Sequence, residues 1–297
     1  MARQRNAGRS TRRSNRTAST NRKGTRRSAR RGWRTAATSD RHDLYELSVQ
    51  EPNAECAFFD RVHKERRGRL PAVLREDFCG TGFASATWVA RRAGNSAHGV
   101  DLSQATMDWG RRRHFPALTA AQRARVTLHR GNVLTARTPP ADVLAALNFS
   151  YFIWKTRAAL VAYFRAAFRN LKPGGVIVLD AYGGSDSFLE QEETRSLDGF
   201  IYAWQTERYN PINGDVLNHI HFRFPDGTEL KRAFTYDWRL WTLPEIQEAL
   251  VDAGFIRPAV YWEGTTADGE GDGVFRRKVR GEACEGWIAY IVAERPR

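Results

Sequence analysis

The chain of 297 residues contains only three cysteines, Cys56, Cys79 and Cys284, odd in number and far apart. That argues against a disulfide framework, and their spacing matches no zinc site. No apolar run approaches the roughly 18 residues that span a bilayer, and no signal-peptide core is present. The expectation is a soluble cytoplasmic protein with no membrane association and no metal. Acids are almost missing from residues 1–40, where thirteen Lys and Arg stand against Asp40 alone. The net charge of +14 therefore belongs to a tail, and residues 41–297 are nearly neutral. Trp33 is the tail's only large apolar residue, so residues 1–40 are expected to be disordered. An arm that binds nucleic-acid backbone, a targeting peptide and an extension without function all fit this composition.

What is present centres on Val73-Leu74-Arg75-Glu76-Asp77-Phe78-Cys79-Gly80-Thr81-Gly82. A short apolar run reads as a strand, meets two carboxylates and breaks at Gly-x-Gly. Phe83, Ala86, Thr87 and Ala90 then recur at helical spacing. Strand, glycine turn and helix place backbone N–H groups and a helix N-terminus beside a ligand, as nucleotide-type cofactors require. Gly80, Gly82 and Ser85 follow a Gly-x-Gly-x-x-small spacing, and Asp101 ends the next strand-like run. A dinucleotide-binding unit has the same parts. Glu76 and Asp77, however, would repel a pyrophosphate and attract a cofactor bearing an ammonium and a sulfonium.

Leu171-Lys172-Pro173-Gly174-Gly175, leading from a helix into the strand Val176 to Asp180, completes a pattern. The chain resembles the class I S-adenosylmethionine (SAM)-dependent methyltransferases. Their glycine motif matches at Glu76, Cys79, Gly80, Thr81 and Gly82, while Phe78 stands where the family has its first glycine. The resemblance runs from about 71 to 180. It implies an α/β, doubly wound, Rossmann-like sheet of seven strands, with SAM as cofactor. Glu76, Cys79, Gly80 and Gly82 would hold its methionine portion and Asp101 its ribose. Leu102, Asn132 and Val133 would flank the adenine. Tyr45 is a candidate to close the site from a preceding helix, or a packing residue. Asp77 is a neighbour of the motif that pairs with Arg75 or caps the turn.

Around this centre, residues 41–70 read as two helices parted at Pro52, and 71–180 as the cofactor-binding half. Residues 200–241 read as an antiparallel β insertion, with turns at 210–215 and 225–228. Residues 242–297 supply a last helix, capped by Thr242, and two antiparallel strands separated by a long loop over 263–285. The whole of 41–297 reads as one catalytic domain.

Methyl transfer from a sulfonium chiefly requires alignment and exclusion of water. Asn148 and Tyr151, at a strand end, are the candidates for positioning the acceptor, and Asn148 also borders the cofactor. Their spacing resembles the Asn-Pro-Pro-Tyr motif of amine methyltransferases without its prolines. Trp204, His219, His221, Trp238 and Arg239 are candidate substrate-binding residues. The acceptor is expected to be a small or medium-sized molecule methylated on O or N. The alternative is an RNA-binding protein or RNA methyltransferase that uses the basic arm. Oligomeric state leaves no mark in the sequence.

Overall fold

The computed structural model describes residues 34–266 and 271–297. Two helices come first, α1 (Arg41–Val49) and α2 (Pro52–Arg67). Asp40 caps α1 by accepting from the His42 and Asp43 amides. Pro52 opens α2, and Gly68 ends it in the left-handed region at φ 71°. The alternating unit follows with β1 (Val73–Asp77), α3 (Phe83–Arg91), β2 (Ser96–Asp101) and α4 (Gln104–His114). It continues through α5 (Ala120–Arg123), β3 (Val126–Arg130), β4 (Ala141–Ala146), α6 (Arg157–Arg169) and β5 (Leu171–Gly183). Every residue of β4 is buried, as expected of a strand covered by helices on both faces.

Four strands then form a separate antiparallel sheet: β6 (Glu192–Leu197), β7 (Phe200–Tyr209), β8 (Asp215–Arg223) and β9 (Glu229–Arg239). The chain returns through α7 (Leu243–Asp252), β10 (Ile256–Thr265), β11 (Gly271–Lys278) and β12 (Trp287–Glu294). Thr242 and Glu245 close a reciprocal capping box on α7.

The main sheet runs β11-β10-β12-β5-β4-β1-β2-β3. β3, β2, β1, β4 and β5 are parallel, and β12 lies antiparallel between β5 and β10. One face packs on α6 and α7 through Leu144, Phe164, Ile177 and Leu250. The other packs on α2 and α3 through Phe59, Leu74, Trp88 and Val178. The parallel strands reverse order between β1 and β4, which opens a ligand crevice at their carboxyl ends.

Three sequence expectations are corrected. The sheet has eight strands, because residues 271–278 within the expected loop pair with β10 from Val260↔Lys278 to Glu263↔Phe275. Exposed polar side chains hid β11, since an edge strand is held by its backbone ladder. The antiparallel sheet begins at Glu192 rather than 200, its first strand Glu-Glu-Thr-Arg-Ser-Leu having no apolar alternation. Residues 34–40, assigned to the disordered tail, are placed: the Ala36 amide donates to Thr228 Oγ1 at 2.9 Å, and Arg34 pairs with Asp43 at 3.4 Å. The rest of the expected tail, residues 1–33, lies outside the described residues. Among the described residues no helix is long and apolar enough to cross a membrane.

Candidate active site

The crevice is built from the ends of β1, β2, β4 and β5 and is covered by α1 and α2. After β1, Phe78 takes φ 57°, the left-handed backbone that a glycine would adopt without strain. Its ring is held against Tyr163, centroids 5.5 Å apart, so packing enforces the turn. Gly80 and Gly82 follow at φ 53° and 70°. A Cβ on Gly80 would meet nothing within 4 Å, so that side of the loop opens on space a ligand can approach.

Three acids border the loop. Asp101 accepts from the Gly80 amide at 2.9 Å and the Ser103 amide at 2.8 Å. A carboxylate has about four lone-pair positions, so capacity remains for two hydroxyls. Glu76 Oε2 accepts from the Ser85 amide and hydroxyl at 3.0 and 2.5 Å. Burial, reinforced by Asp101 and Asp77, lifts its pKa to about 7 despite those bonds. Asp77 points to the opposite face of β1, where Arg75 Nε donates to it at 2.7 Å and Tyr163 at 3.2 Å. It belongs to the buried core. Breaking a pair this deeply buried costs about 3–5 kcal/mol.

Beyond β4, Asn148 and Phe149 both take left-handed backbone, at φ 55° and 58°. This aims their amides at Asp180 of β5, Asn148 N at 2.8 Å and Phe149 N at 2.9 Å. Burial raises the Asp180 pKa to about 7 even so. Glu55, partly buried on α2, feels the charges of Glu76 and Asp180, and burial lifts its own pKa to about 8. No three of the described His, Cys, Asp and Glu stand close enough to hold a metal ion.

Residues 78–175 match a family model described as a methyltransferase domain. The matched stretch takes in the glycine loop, Asp101 and Asn148. No curated protein matches it by sequence. Solved structures do resemble it. A SAM-dependent methyltransferase from Clostridium acetobutylicum is 15% identical, with 86% of this chain and 98% of that one covered and a TM-score of 0.63. The sugar N-methyltransferase KedS8 from a Streptoalloteichus species is 22% identical over 87% and 94% of the two chains, TM-score 0.59. CalS10, an amino pentose methyltransferase from Micromonospora echinaspora solved with SAM bound, is 21% identical over 86% and 95%, TM-score 0.60. At these identities the likeness is one of fold.

The cofactor-side candidates gather at one edge of the sheet. Leu102 is 68% exposed, Asn132 is exposed with its Oδ1 bonded to the Leu134 amide, and Val133 is buried beneath them. Cys79 is buried; its amide donates to the Val100 carbonyl, and its sulfur packs against Gly99, 2.8 Å from where a Cβ there would stand. Only its backbone can serve a ligand. Tyr45 sits over the crevice, its ring 4.9 Å from Phe234 and its hydroxyl against that of Tyr236. The Asn148 side chain makes no hydrogen bond among the described residues.

The acceptor-side candidates divide. Trp204 lies between Tyr182 at 6.1 Å and Tyr236 at 5.8 Å, with Trp238 buried behind them. Tyr151 does not reach the crevice: it is fully buried and its hydroxyl donates to the Asp180 carbonyl at 2.7 Å. A short helical turn over Ser150–Ile153, entered through left-handed Phe149, carries the ring into the core. His219 and His221 occupy the face of β8 opposite Asn218, because strand residues alternate. There they bond Thr235 and Glu207, and Gln205 and the Arg232 amide. Arg239 is a structural clamp, its guanidinium 3.8 Å over Trp241 and 2.8 Å from Glu245.

The sequence reading missed Asp180, Glu55, Glu46, Tyr182 and Tyr236. Asp180 had a visible signal: it directly follows the apolar run Val176–Leu179, as Asp101 follows Val100. Glu55 had none, since only the docking of α2 turns it inward.

Proposed function

We propose that this chain transfers a methyl group from SAM to an oxygen or nitrogen of a small, sugar-sized acceptor. The observation that carries the reading is the acidic rim of the glycine loop, with Glu76 on one side and Asp101 on the other, above a Gly80 whose Cβ side is open. Carboxylates at a glycine loop suit a cofactor with an ammonium and a sulfonium and oppose a pyrophosphate. Glu76 holds the amino group of the methionine portion, and Gly80 and Gly82 give its carboxylate close access to backbone amides. Asp101 accepts the ribose hydroxyls, while Leu102, Val133 and Asn132 enclose the adenine.

When bound, SAM supplies an already activated methyl. The residues of this chain have only to align the acceptor and keep water out, by means of α1 above and the aromatic wall of β7 and β9 beside it. The acceptor's size is argued from the sugar and amino pentose substrates named for KedS8 and CalS10. Calorimetric titration with SAM, S-adenosylhomocysteine and NAD tests the cofactor. Saturable binding of the first two and none of NAD is expected. Binding of NAD alone would sink the reading.

A further inference from the structure

Six acids are buried among the described residues: Glu46, Asp60, Asp77, Asp142, Asp180 and Glu294. Five have a basic partner. Glu46 meets His114, Asp60 meets Arg91 and Arg92, and Asp77 meets Arg75. Asp142 meets Arg69 and Lys172, and Glu294 meets Arg66 and Arg67. Asp180 has backbone amides only. Across the crevice from it, and near enough to feel its charge, Glu55 likewise has no ion-pair partner among the described residues; its carboxylate accepts from the Glu51 amide at 3.4 Å. An uncompensated buried carboxylate is costly unless a positive charge arrives from outside. The donor's ammonium is matched by Glu76, so two further acids face the crevice without a cation.

Their surroundings fit a cation that is not the donor. Tyr182 stands two residues beyond Asp180 on the same face of β5, its hydroxyl held by Asn218 Nδ2 at 3.2 Å. Trp204 and Tyr236 continue that wall with rings stacked 5.8 Å apart, and Tyr45 closes it from α1, within reach of the Asp180 charge. Aromatic faces beside carboxylates bind ammonium groups by cation–π attraction and ion pairing together.

Resting on the methyl-transfer reading above, we propose that the space between Asp180, Glu55 and the Trp204–Tyr236 wall binds the ammonium group of an amine acceptor, whose proton passes to Asp180. The carboxylate takes one proton from R–NH3+, leaving R–NH2 with a free electron pair. That pair forms the new N–CH3 bond as the C–S bond breaks. The bonding electrons remain on sulfur, giving a neutral thioether and R–NH2–CH3+. Asp180 then releases its proton to solvent. A hydroxyl acceptor fits poorly, because a carboxylate is far too weak a base for an alcohol, whereas an amine lies within a few units of Asp180's raised pKa of about 7.

Two measurements separate this proposal from the donor reading. S-adenosylhomocysteine probes the donor site alone. Sinefungin, which has a primary amine where the sulfonium methyl stands, puts an ammonium at the point of transfer. The wild-type protein should bind sinefungin about tenfold or more tighter than S-adenosylhomocysteine, as charge-assisted contacts require. Asp180→Asn and Glu55→Gln should each remove most of that preference and leave S-adenosylhomocysteine affinity within about twofold. Glu55→Gln serves if loss of the Asn148 and Phe149 anchor unfolds the first variant. Equal affinity for the two ligands in the wild type, or a preference that both variants retain, overturns the proposal with the donor reading intact. Failure of S-adenosylhomocysteine to bind overturns both. Incubation of the full chain with trideuteromethyl SAM and a cellular small-molecule extract should place the label on nitrogen; label on oxygen overturns the proposal.

Discussion

Thr81 donates its hydroxyl to Glu46 Oε1 at 2.6 Å, which ties the glycine loop directly to the helix that covers it. His114 reaches the same oxygen at 2.7 Å, its ring stacked on Phe83 with centroids 4.3 Å apart. A nine-residue helix is marginal by itself, so these bonds and the burial of Leu44 hold α1 down. Glu46→Ala should speed amide exchange across residues 41–49 by about tenfold or more, the effect of losing a charge-assisted bond worth about 1.5–3 kcal/mol. SAM affinity should fall with it. Unchanged exchange protection would show that α1 is held by packing alone.

Asp101 does two jobs at once, anchoring the Gly80 and Ser103 amides and offering its remaining lone pairs to the crevice. Asp101→Ala should weaken S-adenosylhomocysteine binding by about 2–3 kcal/mol, the range for charge-assisted bonds lost from a partly buried site. Calorimetry on the folded variant checks this. An unchanged dissociation constant would assign Asp101 to loop anchoring only.

Much of this site was legible because its parts are local. Glycine turn, acid at a strand end and helix cap each occupy a few consecutive residues, so Glu76, Gly80, Gly82 and Asp101 fall together as soon as β1 pairs with β2. What stayed hidden depends on contacts between distant segments. Glu55 becomes a crevice residue only because Phe58 and Phe59 dock α2 on the sheet. His219 and His221 looked convergent, yet which face of β8 meets the body is decided by Val216, Asn218 and Ile220, all buried on the other side. Tyr151 was misplaced because two left-handed residues, Asn148 and Phe149, redirect the chain just before it. β6 and β11 escaped notice because polar edge strands carry no apolar period.

Gly110 of α4 packs directly on the glycine loop, and a Cβ there would stand 1.8 Å from the Thr81 carbonyl oxygen. Backbone lies on both sides, so no side-chain rotation relieves the clash. Gly110→Ala should destabilise the protein by about 1–3 kcal/mol, the usual cost of overpacking. It should also displace Thr81 from Glu46 and weaken SAM binding. Gly94→Ala is the control, since nothing lies within 4 Å of its added methyl. Denaturant unfolding of both variants checks the pair, and equal stabilities would mean that α4 can shift freely against the loop.

The raised carboxylates leave a signature in pH. Burial holds the pKa of Glu76 and Asp180 at about 7 and that of Glu55 at about 8. Each acid therefore binds protons more tightly in the folded protein than in the unfolded chain, where it titrates near 4. Between about pH 4.5 and 8 the folded state holds more protons, so these groups lower stability as pH rises. His42, His63, His98, His129 and His221 act in the opposite sense, because burial depresses their pKa values, so stability rises as pH climbs toward 6.5 and their contribution is level above it. The melting temperature of the wild type alone mixes the two. The difference between wild type and Glu55→Gln isolates one acid, faced by Glu76, Asp180, Glu51 and Tyr290. The variant should gain stability relative to wild type from pH 6 to 8.5. Saturating sinefungin should shrink that gain, because a bound cation makes the ionised Glu55 favourable. A difference that is flat with pH, or one that sinefungin leaves untouched, would mean that Glu55 faces solvent and carries no role in the crevice.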